Sequence, residues 1–194
     1  MIPSMGGGRL EPWFIRWAMD VKKGRTIVEL GTWLGAGTIH LAANPERTVH
    51  TYDIFQIHGN EVDKAAAYGV KFAEGEDSLP WVQKHLESRQ NIIYHKGKIS
   101  DEPWTGIPIG LYVDDACKYE PEFLDALKRF SPSWVPGETI CAFMDYWWHL
   151  SRPNDERARF QKEFLDAHAE CFDFIMEDRR LGIAAFRYKG GLSV

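Results

Sequence analysis

The sequence predicts an α/β fold: a three-layer sandwich around a mostly parallel, seven-stranded sheet that ends in an antiparallel hairpin. Three observations carry this. Short apolar runs alternate with amphipathic, helix-length segments, which implies a parallel sheet covered on both faces. Two adjacent strand-like segments close the chain across a charged turn, "EDRR", and strands joined that tightly must be antiparallel. The 194 residues suit one domain with a single substantial core.

The elements follow in order. Residues 10–22 place Leu10, Phe14, Trp17, Ala18 and Val21 on one helical face, with Pro12 in the first turn. Residues 1–23 therefore read as an N-terminal helical extension of one domain spanning 1–194. Residues 26–30 form a short apolar strand, and 36–43 a helix ended by Asn44-Pro45. A second strand is expected over 48–54, helices over 61–73 and 78–87, and a third strand over 91–96. A fourth strand, 107–113, precedes a helix at 121–130. A fifth strand, 139–144, precedes a long helix at 155–169. Residues 172–188 supply the closing pair of strands.

Bulk properties narrow the function. Hydrophobic content is 44%, charged content 26% and net charge −5, as for an ordinary globular protein. Basic residues are scattered, without the footprint that a phosphate backbone requires, so no nucleic-acid partner is expected. No window has the apolar length of a membrane span. The N-terminus lacks the charged-then-apolar pattern of a signal peptide. Cys117, Cys141 and Cys171 are widely spaced, with no metal-binding or redox motif, and read as reduced, buried thiols of a cytoplasmic protein. Eight Trp hint at flat aromatic surfaces as well as core filling.

In open parallel sheets ligands bind beyond the carboxyl ends of the strands. After the first strand comes Glu29-Leu-Gly31-Thr-Trp-Leu-Gly35-Ala-Gly37-Thr38, and after the second comes Asp53. The third is followed by Gly97-Lys-Ile-Ser100-Asp101, the fourth by Asp114-Asp115, and the fifth by Asp145-Tyr146-Trp147-Trp148-His149. Any one such Asp is ordinarily a cap or turn former; it is their convergence on one edge that marks a site. In the Gly-rich turn, Trp33 stands where a dinucleotide-binding turn needs Gly for a pyrophosphate, and no Lys follows as in a phosphate loop. Glu29 suits an ammonium, and the helix start at Gly35 to Thr38 suits a carboxylate. Asp53, 22 residues after Gly31, suits ribose hydroxyls. An amino acid joined to a nucleoside describes S-adenosylmethionine.

"VELGTWLGAGT" resembles the first motif of class I S-adenosylmethionine-dependent methyltransferases, and "YDIF" the end of their second strand. "GLYVDDACKYEPEFLDALKRFSPSWVPGETICAFMDY" is similar to a pattern of small-molecule O-methyltransferases related to the macrocin and catechol enzymes. The resemblance covers roughly residues 24–146 and implies a Rossmann-like fold. By that resemblance Glu29, Gly31, Thr32, Gly35 and Thr38 surround the methionine part of the cofactor, and Trp33 and Asp114 also belong to the cofactor-binding set. Asp53 holds the ribose, and Ile54, Phe55, Ile99, Ser100 and Asp101 border the adenine. The implied activity is methyl transfer to a small-molecule acceptor, a hydroxyl above all.

A hydroxyl acceptor benefits from a base or a metal. Asp114, Asp115 and Asp145 form a three-carboxylate set suited to Mg²⁺. In the resembled families Asp residues matching Asp114 and Asp145 bind the metal. This chain departs from them with Asp115 where His is frequent and Tyr146 where Asn or Asp is frequent. The alternative is a metal-free site with Asp114 or His149 as base. Trp147 and Trp148 either wall the acceptor or pack. Trp13 and Trp17 either close the site or seat the first helix, and an exposed aromatic helix would make a homodimer plausible. Two rivals remain. One is a nicotinamide-dependent reductase, from "GTWLGAG" and a Tyr94-x-x-x-Lys98 match. That pair would lie about 13 Å apart on a strand at ~3.3 Å per residue. The other is a non-catalytic protein that keeps the cofactor fold.

Overall fold

The apolar runs form strands whose burial sets their place in the sheet. The computed structural model describes residues 10–99 and 103–194. One sheet contains β1 (Thr26–Leu30), β2 (Val49–Asp53), β3 (Ile92–Lys96), β4 (Ile109–Asp114), β5 (Ile140–Phe143), β6 (Phe172–Asp178) and β7 (Ile183–Tyr188). The spatial order is β3-β2-β1-β4-β5-β7-β6. β1, β4 and β5 are buried along their whole length and lie in the interior of the sheet, as strands covered on both faces must. β1 to β5 pair in parallel, while β7 runs antiparallel to both β5 and β6.

Side-chain alternation divides the core between two faces. On β5, Ile140 and Ala142 point to one face, where Phe14, Trp17 and Ala18 of α1 (Glu11–Asp20) and Leu41 of α2 (Ala36–Leu41) pack. Cys141 and Phe143 point to the other, against Phe123, Leu127 and Phe130 of α5 (Glu120–Phe130) and Leu165 of α6 (Phe160–Ala167). The expected three layers and the antiparallel end are present. Trp17 is 3% exposed and belongs to the core, so it seats α1 on the sheet and is not a lid or an exposed dimer face. The three cysteines are free and buried. Among the described residues no helix is long and apolar enough to cross a membrane.

Two helices differ from expectation. α3 (Asn60–Ala67) stops well before residue 73, where Gly69 takes a left-handed φ of 79° and breaks the helical path. The segment expected as one helix over 155–169 opens with a 3₁₀ turn, Glu156–Arg159, begun by the Asp155 carboxylate accepting the Arg157 N–H. α4 (Leu79–His85) completes the helices.

The strand order reverses direction between β1 and β4, and such a switch opens a crevice at the carboxyl edge. Leu30 lies level with Tyr52 and with Asp114, and Asp114 with Phe143. The strand-end residues named above therefore meet along one rim.

Candidate functional site

The turn after β1 is built by two buried carboxylates. Thr38 Oγ1 donates to Glu29 Oε2 at 2.6 Å, and Thr51 Oγ1 donates to the same oxygen at 2.7 Å. Thr51 has one proton and gives it to Glu29, so Thr32 Oγ1, 2.5 Å away, must be the donor to Thr51. Burial, only partly offset by these hydroxyls, pushes the Glu29 pKa up to about 7. Asp53 Oδ2 accepts the N–H groups of Thr32 and Trp33 at 2.9 and 2.8 Å, and its Oδ1 accepts that of Phe55 at 2.7 Å. Among the described residues, Trp33 and Phe55 are the non-glycine residues with positive φ, 46° and 53°. Asp53 thus fastens both strained turns, and most of its lone pairs are engaged within the chain.

Close approach explains Gly31. A Cβ there would sit 2.8 Å from the Asp115 carbonyl oxygen, and its φ is 91°. The β1 and β4 exits can touch at the switch point only with no side chain at this position. Gly37 is similar: a Cβ would lie 2.7 Å from Glu29 Oε1.

Two cavities open at this rim. The larger, about 610 Å³, is bordered by Asp53, Ile54, Gly97, Ile99, Ala116 and Cys117. The smaller, about 290 Å³, is bordered by Phe14, Glu29, Thr32, Gly37, Met144 and Asp145. Gly31, Trp33, Asp115 and Lys118 border both, so the cavities meet at those four residues.

This geometry sorts the expected site residues. Gly31, Thr32, Trp33 and Glu29 line the smaller cavity; Asp53, Ile54 and Ile99 line the larger. Ser100 and Asp101 lie outside the described residues. Phe55 is fully buried against Val82 and Leu86 and borders neither cavity. Gly35 lies against Leu86 and Thr38 donates to Glu29; neither borders a cavity described above. Asp114 is fully buried and turned inward: Oδ1 accepts the N–H groups of Ala116 and Cys117 at 3.2 and 2.9 Å. Burial raises its pKa to about 6. It caps its own turn and borders neither cavity, whereas Asp115, the next residue, borders both. His149 also borders neither; its Nδ1 is buried without a partner, and burial lowers its pKa. The base expected at Asp114 or His149 is therefore not placed at the cavities. Trp147 lies beneath the Lys162 and Arg179 cations, Trp148 beside Tyr119, and neither borders a cavity.

The donor set expected for Mg²⁺ does not fit one. Asp114 is committed to its turn. Lys118 Nζ sits 2.5 Å from Asp145 Oδ2, where a cation ligated by Asp145 would stand. Tyr146, at the position of the missing ligand, donates to Asp166 Oδ1 at 2.6 Å. Among the described residues no group of three His, Cys, Asp or Glu is arranged to hold a metal ion. Lys118 is the residue that the sequence reading missed. Burial works against its ammonium, but Asp145 and then Asp115 outweigh this and raise its pKa. A Lys four residues past a strand-end Asp gives no pattern signal, because its partner lies 27 residues away.

No protein-family model matches the sequence, and no curated protein matches it. Solved structures do share its fold. The O-methyltransferase NovP superposes with a TM-score of 0.66 at 16% identity, over 93% of this chain and 79% of its own. CalS11, a calicheamicin methyltransferase, gives 0.59 at 17% identity, over 91% and 76%. The chain shares its fold with these methyltransferases. The N-methyltransferase NodS from Bradyrhizobium japonicum, in complex with S-adenosyl-L-homocysteine, gives 0.57 at 11% identity, over 95% and 88%. Within this methyltransferase fold the two cavities lie at the switch between β1 and β4. The reductase alternative has no geometric support: Tyr94 sits on β3, packs against Phe55 and borders neither cavity.

Proposed function

We propose that this chain transfers the methyl group of S-adenosylmethionine to a small-molecule hydroxyl. The observation that carries the reading is the meeting of two strand-end cavities at Gly31, Trp33, Asp115 and Lys118 within a methyltransferase fold. The residues suit such a ligand. Gly31 and Gly37 let the Asp115 backbone and the Glu29 carboxylate close in on the turn, and Glu11, Glu29, Asp115 and Asp145 outnumber Lys64 and Lys118 around the smaller cavity, which favours a cationic guest. The larger cavity, with Ile54 and Ile99, takes the adenosine. The smaller, with Glu29 and Gly37, takes the amino-acid end and, toward Phe14 and Met144, the acceptor.

When bound, the cofactor supplies a methyl carbon on a sulfonium as the electrophile. The chain's residues do the rest. The shared border of the cavities aligns the acceptor oxygen with the methyl carbon, and Phe14, Met144 and Leu181 keep water away. Asp115 takes the hydroxyl proton as the C–O bond forms and the C–S bond breaks. No step is assigned to magnesium, because Asp114 is committed to its own turn and Asp145 holds Lys118.

Incubation with S-adenosylmethionine and a panel of phenols, sugars and amines tests the reading. The expected result is S-adenosylhomocysteine release that depends on a hydroxyl acceptor, with a 14 Da gain in its mass. Release with amines alone would move the assignment to N-methylation. Cofactor binding with no release from a broad panel would favour the non-catalytic alternative.

Glu29 adds a pH signature. Its folded pKa of about 7 lies above the ordinary 4.5, so the folded state holds the extra proton between those values. Stability without cofactor should fall as pH rises from 4.5 to 7, by about 3 kcal/mol from this group, and level off above. An ammonium beside Glu29 favours the ionised form, so cofactor affinity should rise through pH 7. Glu29→Gln should flatten both trends in thermal-shift and binding titrations. Equal slopes in the variant and the parent would remove Glu29 from the ammonium site.

A further inference from the structure

We propose that Lys118 is the resident cation of the acceptor site. In this reading its ammonium stands against Asp145, where a metal ligated by that acid would have stood, and it binds an acceptor oxygen that carries or develops negative charge. This rests on the methyl-transfer reading above and names the acceptor class as an acidic hydroxyl, of which a phenol is the simplest.

Three observations converge. Lys118 borders both cavities, at the seam where a methyl group would cross. Its Nζ is held by Asp145 Oδ2 at 2.5 Å, and the Trp148 ring lies 5.5 Å away, so the charge has a fixed position. Of the expected metal donors, Asp114 is engaged by the Ala116 and Cys117 N–H groups, and Tyr146, which stands where the resembled families have a further ligand, donates to Asp166. An ammonium has three N–H donors. Asp145 receives one, and a second is assigned to the acceptor oxygen. As the acceptor loses its proton to Asp115, the ammonium stabilises the oxygen anion that attacks the methyl carbon. A fixed cation aimed at developing charge lowers the barrier without the solvent reorganisation that the same charge needs in water. Neutral aliphatic hydroxyls, whose anions are far less stable, gain least from one ammonium, and this selects for phenols.

The test combines activity with two binding measurements. Wild-type turnover of a phenol should be unchanged by EDTA or by added Mg²⁺, and calorimetry with Mg²⁺ should show no binding. Lys118→Met should lower kcat at least 100-fold while S-adenosylhomocysteine binding stays within about threefold of wild type. Lys118→Arg, which keeps a cation, should recover part of the rate. In Lys118→Met, Asp115 and Asp145 lose their counter-charge, so Mg²⁺ should now bind weakly. Loss of wild-type activity on chelation with recovery on Mg²⁺, or a fully active Lys118→Met, would overturn the proposal. Failure of the wild type to bind S-adenosylhomocysteine would instead overturn the methyl-transfer reading, so the two failures are distinguishable.

Discussion

Replacing Asp53 with Ala is expected to unfold the ligand rim and to lower the melting temperature by roughly 6–12 °C. Its carboxylate holds the N–H groups of Thr32, Trp33 and Phe55. Trp33 and Phe55 carry left-handed backbone angles, and both side chains are buried. A buried N–H left unpaired costs about 1–3 kcal/mol, and each strained non-glycine residue stores about 1–3 kcal/mol that the acceptor helps to contain. A net loss of ~3 kcal/mol, at 2–4 °C per kcal/mol for a domain of this size, gives that shift. Asp53→Asn keeps one acceptor oxygen and should fall between wild type and Ala. Cofactor affinity should drop in the same order, because the turn that shapes the cavity seam relaxes. A wild-type melting temperature for Asp53→Ala would show that the turns hold themselves, and the ribose role expected from the sequence would then be the better account of this acid.

Gly31→Ala is expected to weaken cofactor binding severely, through geometry alone. The new Cβ would meet the Asp115 carbonyl oxygen at 2.8 Å and its carbon at 3.0 Å, both backbone atoms that cannot swing aside. The strand ends must part at the point where the two cavities join, and a φ of 91° adds strain for any side chain. The expected loss of affinity is on the order of 100-fold. Gly24→Ala is the control. It shares a positive φ of 77° but has nothing within 4 Å of its would-be Cβ, and it precedes β1 at the far edge of the sheet. It should cost stability and leave binding intact. Equal losses of binding in both variants would mean that general destabilisation, and not the seam, explains Gly31.

The fold was legible because its signals are local. Thr26–Leu30 and Ile109–Asp114 are apolar runs of strand length, and burial along both is what the runs predict. The antiparallel end followed from a turn too short for a crossover. Helix ends were less legible: Gly69 stopped α3 early, and the Asp155 carboxylate began a 3₁₀ turn where helical periodicity suggested α-helix. That the strand-end acids meet along one rim was legible from their positions after the strands, but which way each carboxylate turns depends on pairings across the sheet. Asp53 and Asp114 turned toward backbone N–H groups, and Asp115 toward the cavities. Lys118 was missed because its meaning comes from Asp145 on the next strand exit.

The most direct test of the central claim is calorimetric titration of the wild-type chain with S-adenosylhomocysteine beside NADH and NADPH. The account predicts a saturable one-site isotherm for S-adenosylhomocysteine that Gly31→Ala weakens severely, and no heat from either nicotinamide. Binding of a nicotinamide with none of S-adenosylhomocysteine would contradict it, and the joined cavities would then need another ligand and Trp33 another explanation.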